Sequence, residues 1–318
     1  MLTLSLAYVL LLICVFSLVN LMSMRQQKNN LQTTLTALNS IEIIRKLLED
    51  VAQSRGAANV YLNGKTDFES RLKHAQNSVR EQLQQLASMV KKLDSAYYLE
   101  RITDYSNDWQ EIEKKVLTFT PNESFSRHTE FIQNLLFLIE DLREDFSLKR
   151  LTGENIPFLV NSTSSSLPRV AEAISQLRGI GTGAATKSVC DVSTRIKLKY
   201  LHHYAKTNID TAFNTLPQNL MGLEVQISQF KNDATQFLNS LYTNFIENKT
   251  ISLNPEQFYD QATIVISDNF KLIDKMLPII QVQIEENQRI ATHKKHIKLS
   301  LSSVAFCVSA IISWAILF

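Results

Sequence analysis

The chain has 318 residues, a formal charge of +2 with its histidines neutral, and only seven glycines and six prolines. So even a charge balance leaves no basic footprint for nucleic acid. So few helix breakers, in a chain rich in Leu, Ile, Gln, Ala, Lys and Glu, make the fold class all-α.

Residues 1–24 carry no charged side chain. That length, as a helix, crosses roughly 30 Å of hydrocarbon, so a first transmembrane helix is expected here. A cleaved signal peptide fits less well, because the segment has no basic start, too long an apolar core and no clean small-residue cleavage site. From Leu31 to Leu62 apolar residues recur at threes and fours through Leu35, Leu38, Ile41, Leu48 and Val51. This is one amphipathic helix continuing the first segment into a rod of about 60 residues, or roughly 90 Å. Asn63-Gly64 ends it, and Asp67 is placed to cap the next helix, whose stripe is Leu72, Ala75, Val79, Leu83, Leu86 and Val90. A third helix carries Tyr97, Tyr98, Trp109, Ile112 and Val116, and Thr120-Pro121 breaks it. A fourth carries Phe125, Phe131, Ile132, Leu135, Leu136, Leu138, Ile139 and Leu142.

Between Leu151 and Ser166 the periodicity is lost. Gly153, Pro157 and the run Asn161-Ser162-Thr163-Ser164-Ser165-Ser166 read as a loop crossing between two halves, with Ser166 as the cap of the following helix and Pro168 in its first turn. That helix holds Gly179, Gly181 and Gly183, suited either to close packing or to leaving room for a ligand. A helix over about 191–214 follows. After Pro217 comes a seam of Leu220, Leu223, Ile227, Phe230, Ala234, Phe237 and Leu241. Asn254-Pro255-Glu256 opens the last helix, with the seam Ile266, Phe270, Ile273, Leu277, Ile280 and Ile284, and with Pro278 inside it. Residues 299–318 are again charge-free and give a second transmembrane helix. The expected organisation is transmembrane helix 1 at 1–24, a first helical half at 25–160, a second at 161–298 and transmembrane helix 2 at 299–318. The two halves form consecutive four-helix bundle arrays.

The chemistry centres on two arginines. In Gln53-Ser54-Arg55-Gly56, Ile44, Leu48 and Val51 precede Arg55 at helical spacing, so the cation lies in the apolar stripe. About 120 residues later, Gln176-Leu177-Arg178-Gly179 repeats the frame, and Leu167, Ala171 and Ile174 stand in the same relation to Arg178. A guanidinium taken out of water needs a partner. Either Arg55 and Arg178 pair with acidic side chains or helix-end carbonyls and set register, or they bind a small anion, which guanidinium can grip twice. Candidate ligand-binding residues are Arg55, Arg178, Gln53, Gln176 and Gly179. Both glutamines point away from the arginines on an ideal helix, toward neighbouring helices.

Nothing indicates catalysis: there is no nucleophile–base pair, phosphate loop or zinc signature. His128 and His202-His203 lack companions at metal-ligand spacing, so no cofactor or metal is expected. Cys14 and Cys307 fall in the apolar ends and Cys190 stands alone, which leaves no disulfide within the middle region. His293, Lys294, Lys295, His296 and Lys298 form a basic collar suited to lipid headgroups. With Arg25 and Lys28, the collar would by itself place the middle region in the cytoplasm, but the rule loses force over so long a loop.

The first motif with its Leu62-Asn63-Gly64 ending, Ser124-Phe125-Ser126-Arg127-His128-Thr129 before Leu135-Leu136, and Leu167-Pro168-Arg169-Val170-Ala171-Glu172-Ala173 leading into Gln176-Leu177-Arg178-Gly179-Ile180-Gly181 resemble nitrate- and nitrite-sensing type helical domains. Such domains form the extracytoplasmic input region of bacterial transmembrane receptors, among them methyl-accepting chemotaxis proteins, sensor histidine kinases and diguanylate cyclases. The resemblance spans about Leu2 to Lys206. Ser54 stands where the first motif more often has histidine or glutamate, and Asn155-Ile156-Pro157-Phe158-Leu159-Val160-Asn161 replaces an acidic and aromatic segment.

The resemblance implies a homodimeric inner-membrane sensor with residues 25–298 in the periplasm, in contact with the lipid bilayer and a small anion such as nitrate, nitrite or a carboxylate. Related receptors continue into a HAMP linker and an output domain. Nothing follows Phe318 here, so an input module without output domain is expected, either excised or naturally without one. The alternative is a membrane-tethered helical scaffold with no small ligand.

Overall fold

The computed structural model describes the backbone of residues 2–151, 153, 155–214, 222–248 and 251–317. Of these, the side chains of 2–14, 27, 28, 298, 299, 302, 305–307 and 309–317 lie outside the description. Among the described residues the chain is helical and contains no strand. The helices are α1 (Leu2–Leu62), α2 (Glu69–Val90), α3 (Ala96–Lys115), α4 (Pro121–Asp145), α5 (Ile156–Asn161), α6 (Leu167–Lys187), α7 (Val192–Phe213), α8 (Glu224–Leu241) and α9 (Pro255–Leu317).

The chain divides into two compact units, one of residues 36–280 and one of 1–35 with 281–318. In the larger unit the apolar stripes are buried. They include Leu72, Ala75, Val79, Leu83, Leu86 and Val90 on α2, and Leu223, Ile227, Phe230, Ala234, Phe237 and Leu241 on and before α8. Trp109 of α3 tilts against Phe131 of α4, and Tyr98 donates to Asp145 at 2.7 Å. Leu72 of α2 and Ala58 of α1 share a cluster with Val116. On the other side, Phe213 of α7 meets Phe230 of α8, and Phe237 meets Phe258 of α9. Arg45 of α1 reaches Asp274 of α9 at 2.9 Å and lies over the Phe270 ring. In the smaller unit Lys295 donates to Ser23. Among the described residues no helix is long and apolar enough to cross a membrane. The expected spans at 1–24 and 299–318, with Cys14, Cys307 and Trp314, fall largely outside the described side chains, as does Leu220 of the α8 seam.

Helix ends follow local chemistry. Gly64 takes a φ of +101° just past α1, a conformation that a Cβ disfavours. Thr120, Asp191 and Asn254 cap α4, α7 and α9 by accepting from backbone N–H groups. Asp67 does not cap α2: it lies inside a 3₁₀ turn, Thr66–Phe68, which places Phe68 at the cap position.

The larger correction concerns the serine-rich run. Residues 162–166 are neither a loop nor exposed; they form a π-helical turn joining α5 to α6, and all five side chains are buried. Four of the five hydroxyls find partners inside the fold, those of residues 162 to 165. Thr163 donates to the Leu159 carbonyl at 2.8 Å, Ser162 to the Ala212 carbonyl of α7 at 3.0 Å, and Ser165 to Glu140 at 2.9 Å. Ser166 is helical and makes no capping bond. Pro168 explains the π turn: it has no N–H to offer the carbonyl four residues back, and the widened turn absorbs that gap. A second π turn, Tyr242–Glu247, extends α8. Arg195 donates to the Ile246 carbonyl just inside its end and to the Asn248 carbonyl just beyond it.

Two of the α6 glycines serve close packing. A Cβ on Gly181 would lie 2.7 Å from Cζ of the fully buried Phe258 ring, and one on Gly179 would lie 3.2 Å from the Phe125 ring. Gly183 faces open space. Gly181→Ala is therefore expected to lower the unfolding free energy by about 1–3 kcal/mol through overpacking. Gly183→Ala should raise it by up to about 1 kcal/mol through helix propensity. Urea titration of the two variants checks the contrast, and equal effects would rule out the packing role.

Candidate functional site

Four helices converge on one polar cluster inside the larger unit. α1 supplies Ser54 and Arg55; α4 supplies Phe125, His128 and Thr129; α6 supplies Glu172, Gln176 and Arg178; α9 supplies Tyr259 and Thr263. On α4 (125, 128, 129), α6 (172, 176) and α9 (259, 263) the positions are three or four apart and share a face, whereas Arg55 beside Ser54 and Arg178 beyond Gln176 are turned toward different neighbours.

Arg55 is only 2 % exposed. It grips Glu172 with both ends of its fork, Nη1 to Oε1 at 2.7 Å and Nη2 to Oε2 at 3.0 Å. Nη1 also donates to the Thr129 hydroxyl at 2.8 Å, and the guanidinium lies over the Phe125 ring, 4.9 Å from its centroid. Gln176, one turn after Glu172, donates to the same carboxylate at 2.7 Å. Both oxygens of Glu172 and both terminal nitrogens of Arg55 are therefore engaged, as the burial of the pair requires.

Arg178 is placed differently. Its guanidinium stacks on Tyr259 at 4.8 Å, and Nη1 donates to the Thr263 hydroxyl at 3.0 Å. Among the described residues no carboxylate forms an ion pair with it. Burial holds its basicity below the usual arginine range; Tyr259 and Glu172 counter this, while the charge of Arg55 works with burial. The cluster thus holds two guanidiniums and one carboxylate within electrostatic reach of one another.

Ser54 and His128 close the α1 side. The Ser124 carbonyl can only accept, so the Nδ1 of His128, 2.7 Å away, carries the ring proton. Nε2 then accepts from the Ser54 hydroxyl at 3.0 Å. The residue in the place more often held by histidine or glutamate is thus a hydroxyl that completes a buried histidine.

Of the residues singled out in the sequence, the structure brings together Arg55, Arg178 and Gln176, with Gly179 admitting the Phe125 ring that backs Arg55. Gln53 lies on the exposed face of α1 and is not drawn in. Glu172, Thr129, Phe125, Tyr259 and Thr263 carry roles that sequence reasoning did not assign. The signal for Glu172 was available: it is the one acidic residue in the otherwise apolar run Val170–Ile174. Among the described residues no three His, Cys, Asp or Glu side chains stand where they could hold a metal.

A family model described as nitrate and nitrite sensing matches residues 46–277, a span that contains every residue of this cluster. The structure is similar to that of the NasR transcription antiterminator, with a TM-score of 0.60 and 16 % identity over 88 % of this chain and 83 % of that one. No curated protein matches the sequence.

Burial pushes the His128 imidazole down to about 4. In the unfolded chain it titrates near 6.5, so its contribution is fully present above that pH and is lost as pH falls toward 4. Asp50 has the opposite sign: burial, reinforced by Glu49, raises its carboxyl to about 6, which adds stability as pH falls through the same window. The two oppose one another, so the difference between wild type and His128→Gln is the informative quantity. That stability gap, from urea unfolding, should shrink by about 2–3 kcal/mol between pH 7 and pH 4.5. A gap independent of pH would contradict a neutral buried imidazole.

Proposed function

The chain belongs to the nitrate and nitrite sensing family, and from that premise we propose that it is the ligand-sensing input module of a bacterial inner-membrane receptor. Residues 25–298 lie in the periplasm in this reading, the two charge-free ends span the bilayer, and the module works as a homodimer. Its ligand is a small anion, nitrate, nitrite or a compact carboxylate, held between helices at Arg178, beside the Arg55–Glu172 pair. Its role is sensing rather than catalysis.

One observation carries the reading: Arg178 is a largely desolvated cation stacked on Tyr259 and hydrogen-bonded to Thr263, with no ion-pair partner among the described residues. Arg55 beside it is already neutralised by Glu172. Uncompensated charge in a low-dielectric setting is costly, and a bound anion removes that cost. The donor set suits a planar oxyanion, since a guanidinium can present two parallel N–H groups. A ligand-free scaffold would have no use for the second arginine in this state.

Transmission follows from which helices the ligand would touch. α9 carries Tyr259 and Thr263 near its start and continues as one helix to Leu317. An anion that draws these side chains toward α6 biases the packing of α9, and a small shift or rotation passes along it. The size of the bias is bounded by the ligand's differential affinity for the two packings.

The test is thermal unfolding with potassium nitrate. At a hundredfold excess over Kd, nitrate should stabilise the protein by about 2.7 kcal/mol, and Arg178→Gln should abolish the shift while staying folded. An equal nitrate response in the Arg178→Gln protein would remove the proposed site.

A further inference from the structure

The pairing pattern around Glu172 bears on which anions the site admits. Resting on the anion-sensing reading, we propose that Glu172 sets the charge of the ligand: by cancelling one of two guanidiniums it leaves a single positive unit, which a monoanion balances and a dianion overshoots.

The geometry makes Glu172 a fixed charge rather than a mobile one. Both of its oxygens are held by the Arg55 fork, and Oε1 also accepts from Gln176. Its side chain is about as buried as its partner's, 5 % exposed against 2 %. A carboxylate this anchored does not swing away to make room. Its field remains at the site, added to those of Arg55 and Arg178. The remaining contacts to the arginines are neutral: Thr129, Phe125, Tyr259 and Thr263. Among the described residues the count is therefore two positive and one negative, with Lys197 over the Phe125 ring, 5.5 Å from its centroid.

Glu172 thus discriminates by charge where shape cannot. Sulfate and nitrate both present oxygens to guanidinium. A second negative charge within several ångströms of the carboxylate, with little water between, meets repulsion that a monoanion largely escapes.

The experiment uses the full chain purified in detergent, with potassium nitrate and potassium sulfate as probes at matched ionic strength. Affinities come from titration calorimetry, supported by thermal shifts. Wild type should respond to nitrate in preference to sulfate. Glu172→Gln, which keeps the shape and removes the charge, should move the sulfate-to-nitrate affinity ratio toward sulfate by on the order of 10–100-fold. An unchanged ratio overturns the charge-setting role while nitrate binding by wild type leaves the sensing function standing. Absence of any anion response in wild type overturns both.

Should Glu172→Gln not fold, because it leaves Arg55 buried without a counter-ion, the comparison moves to R55Q and R55Q/E172Q. The charge count predicts that the double variant, with Arg178 alone, regains the nitrate response that R55Q lacks. Identical responses in these two proteins would overturn the proposal.

Discussion

Two side chains 117 residues apart, Arg55 on α1 and Glu172 on α6, meet in a forked ion pair from which water is almost excluded. Removing two ions from water costs several kcal/mol each, so such a pair is weak evidence for net stability. What it does impose is position. The fork must be coplanar with the carboxylate, Thr129 must bring a hydroxyl from α4, Gln176 must sit one turn along α6, and Phe125 must present its face. A change of register in α1 or α6 breaks several of these together. The pair therefore fixes how three helices face one another, and at the α6–α9 contact the same arrangement leaves Arg178 without an ion-pair partner among the described residues.

A second group of charges shows why that imbalance matters. Glu140 receives both Arg143, at 2.5 Å, and Arg169, at 2.7 Å, so there too two arginines converge on one carboxylate. Yet Arg143 also has Glu144 at 3.9 Å and the Asn161 amide oxygen at 3.3 Å, and Arg169 is 31 % exposed. Water and a further carboxylate absorb the surplus, and each guanidinium is ion-paired. Among the described residues Arg178 pairs with no carboxylate, and a hydroxyl and a ring face serve it. Convergence of arginines is thus not the distinguishing property; an unbalanced one is.

Helical periodicity carried most of the fold. The α2 stripe, the α8 seam after Leu220 and the α9 seam from Ile266 to Ile284 are buried where spacing places them, because apolar burial acts on every turn alike. Arg55 was legible for the same reason, as a cation in an apolar stripe. The serine-rich run was not. Hydroxyl-rich segments compete with the backbone for hydrogen bonds and usually signal loops, but here Thr163 and Ser164 back-bond to carbonyls four residues earlier, while Ser162 and Ser165 find partners on α7 and α4. No local rule supplies those last two partners. The partner of Glu172 was hidden in the same way: its sequence neighbours mark it as buried, but only the tertiary approach of α1 shows with whom it pairs. Gln53 failed in the other direction. Shared position in a repeated frame suggested shared use, while a step of two residues along α1 turns it to solvent.

The segment of α6 that bears the site is bracketed by two stretches of weak helix. On its N-terminal side, Pro168 and the π turn at 162–166 interrupt regular i→i−4 bonding. On its C-terminal side, glycines at 179, 181 and 183 each reduce helix propensity by up to about 1 kcal/mol. Between them lie Glu172, Gln176 and Arg178. Gly181 cannot be exchanged freely, since the Phe258 ring occupies its Cβ space, so that weakness is tied to the packing of α9. A helix with regular bonding throughout would resist a small rotation about its own axis along its whole length. One that is weakened at both ends of its polar segment offers less such resistance there. The polar segment of α6 and the glycine that seats the Phe258 ring of α9 thus lie within one stretch of helix, among the residues that most weaken it.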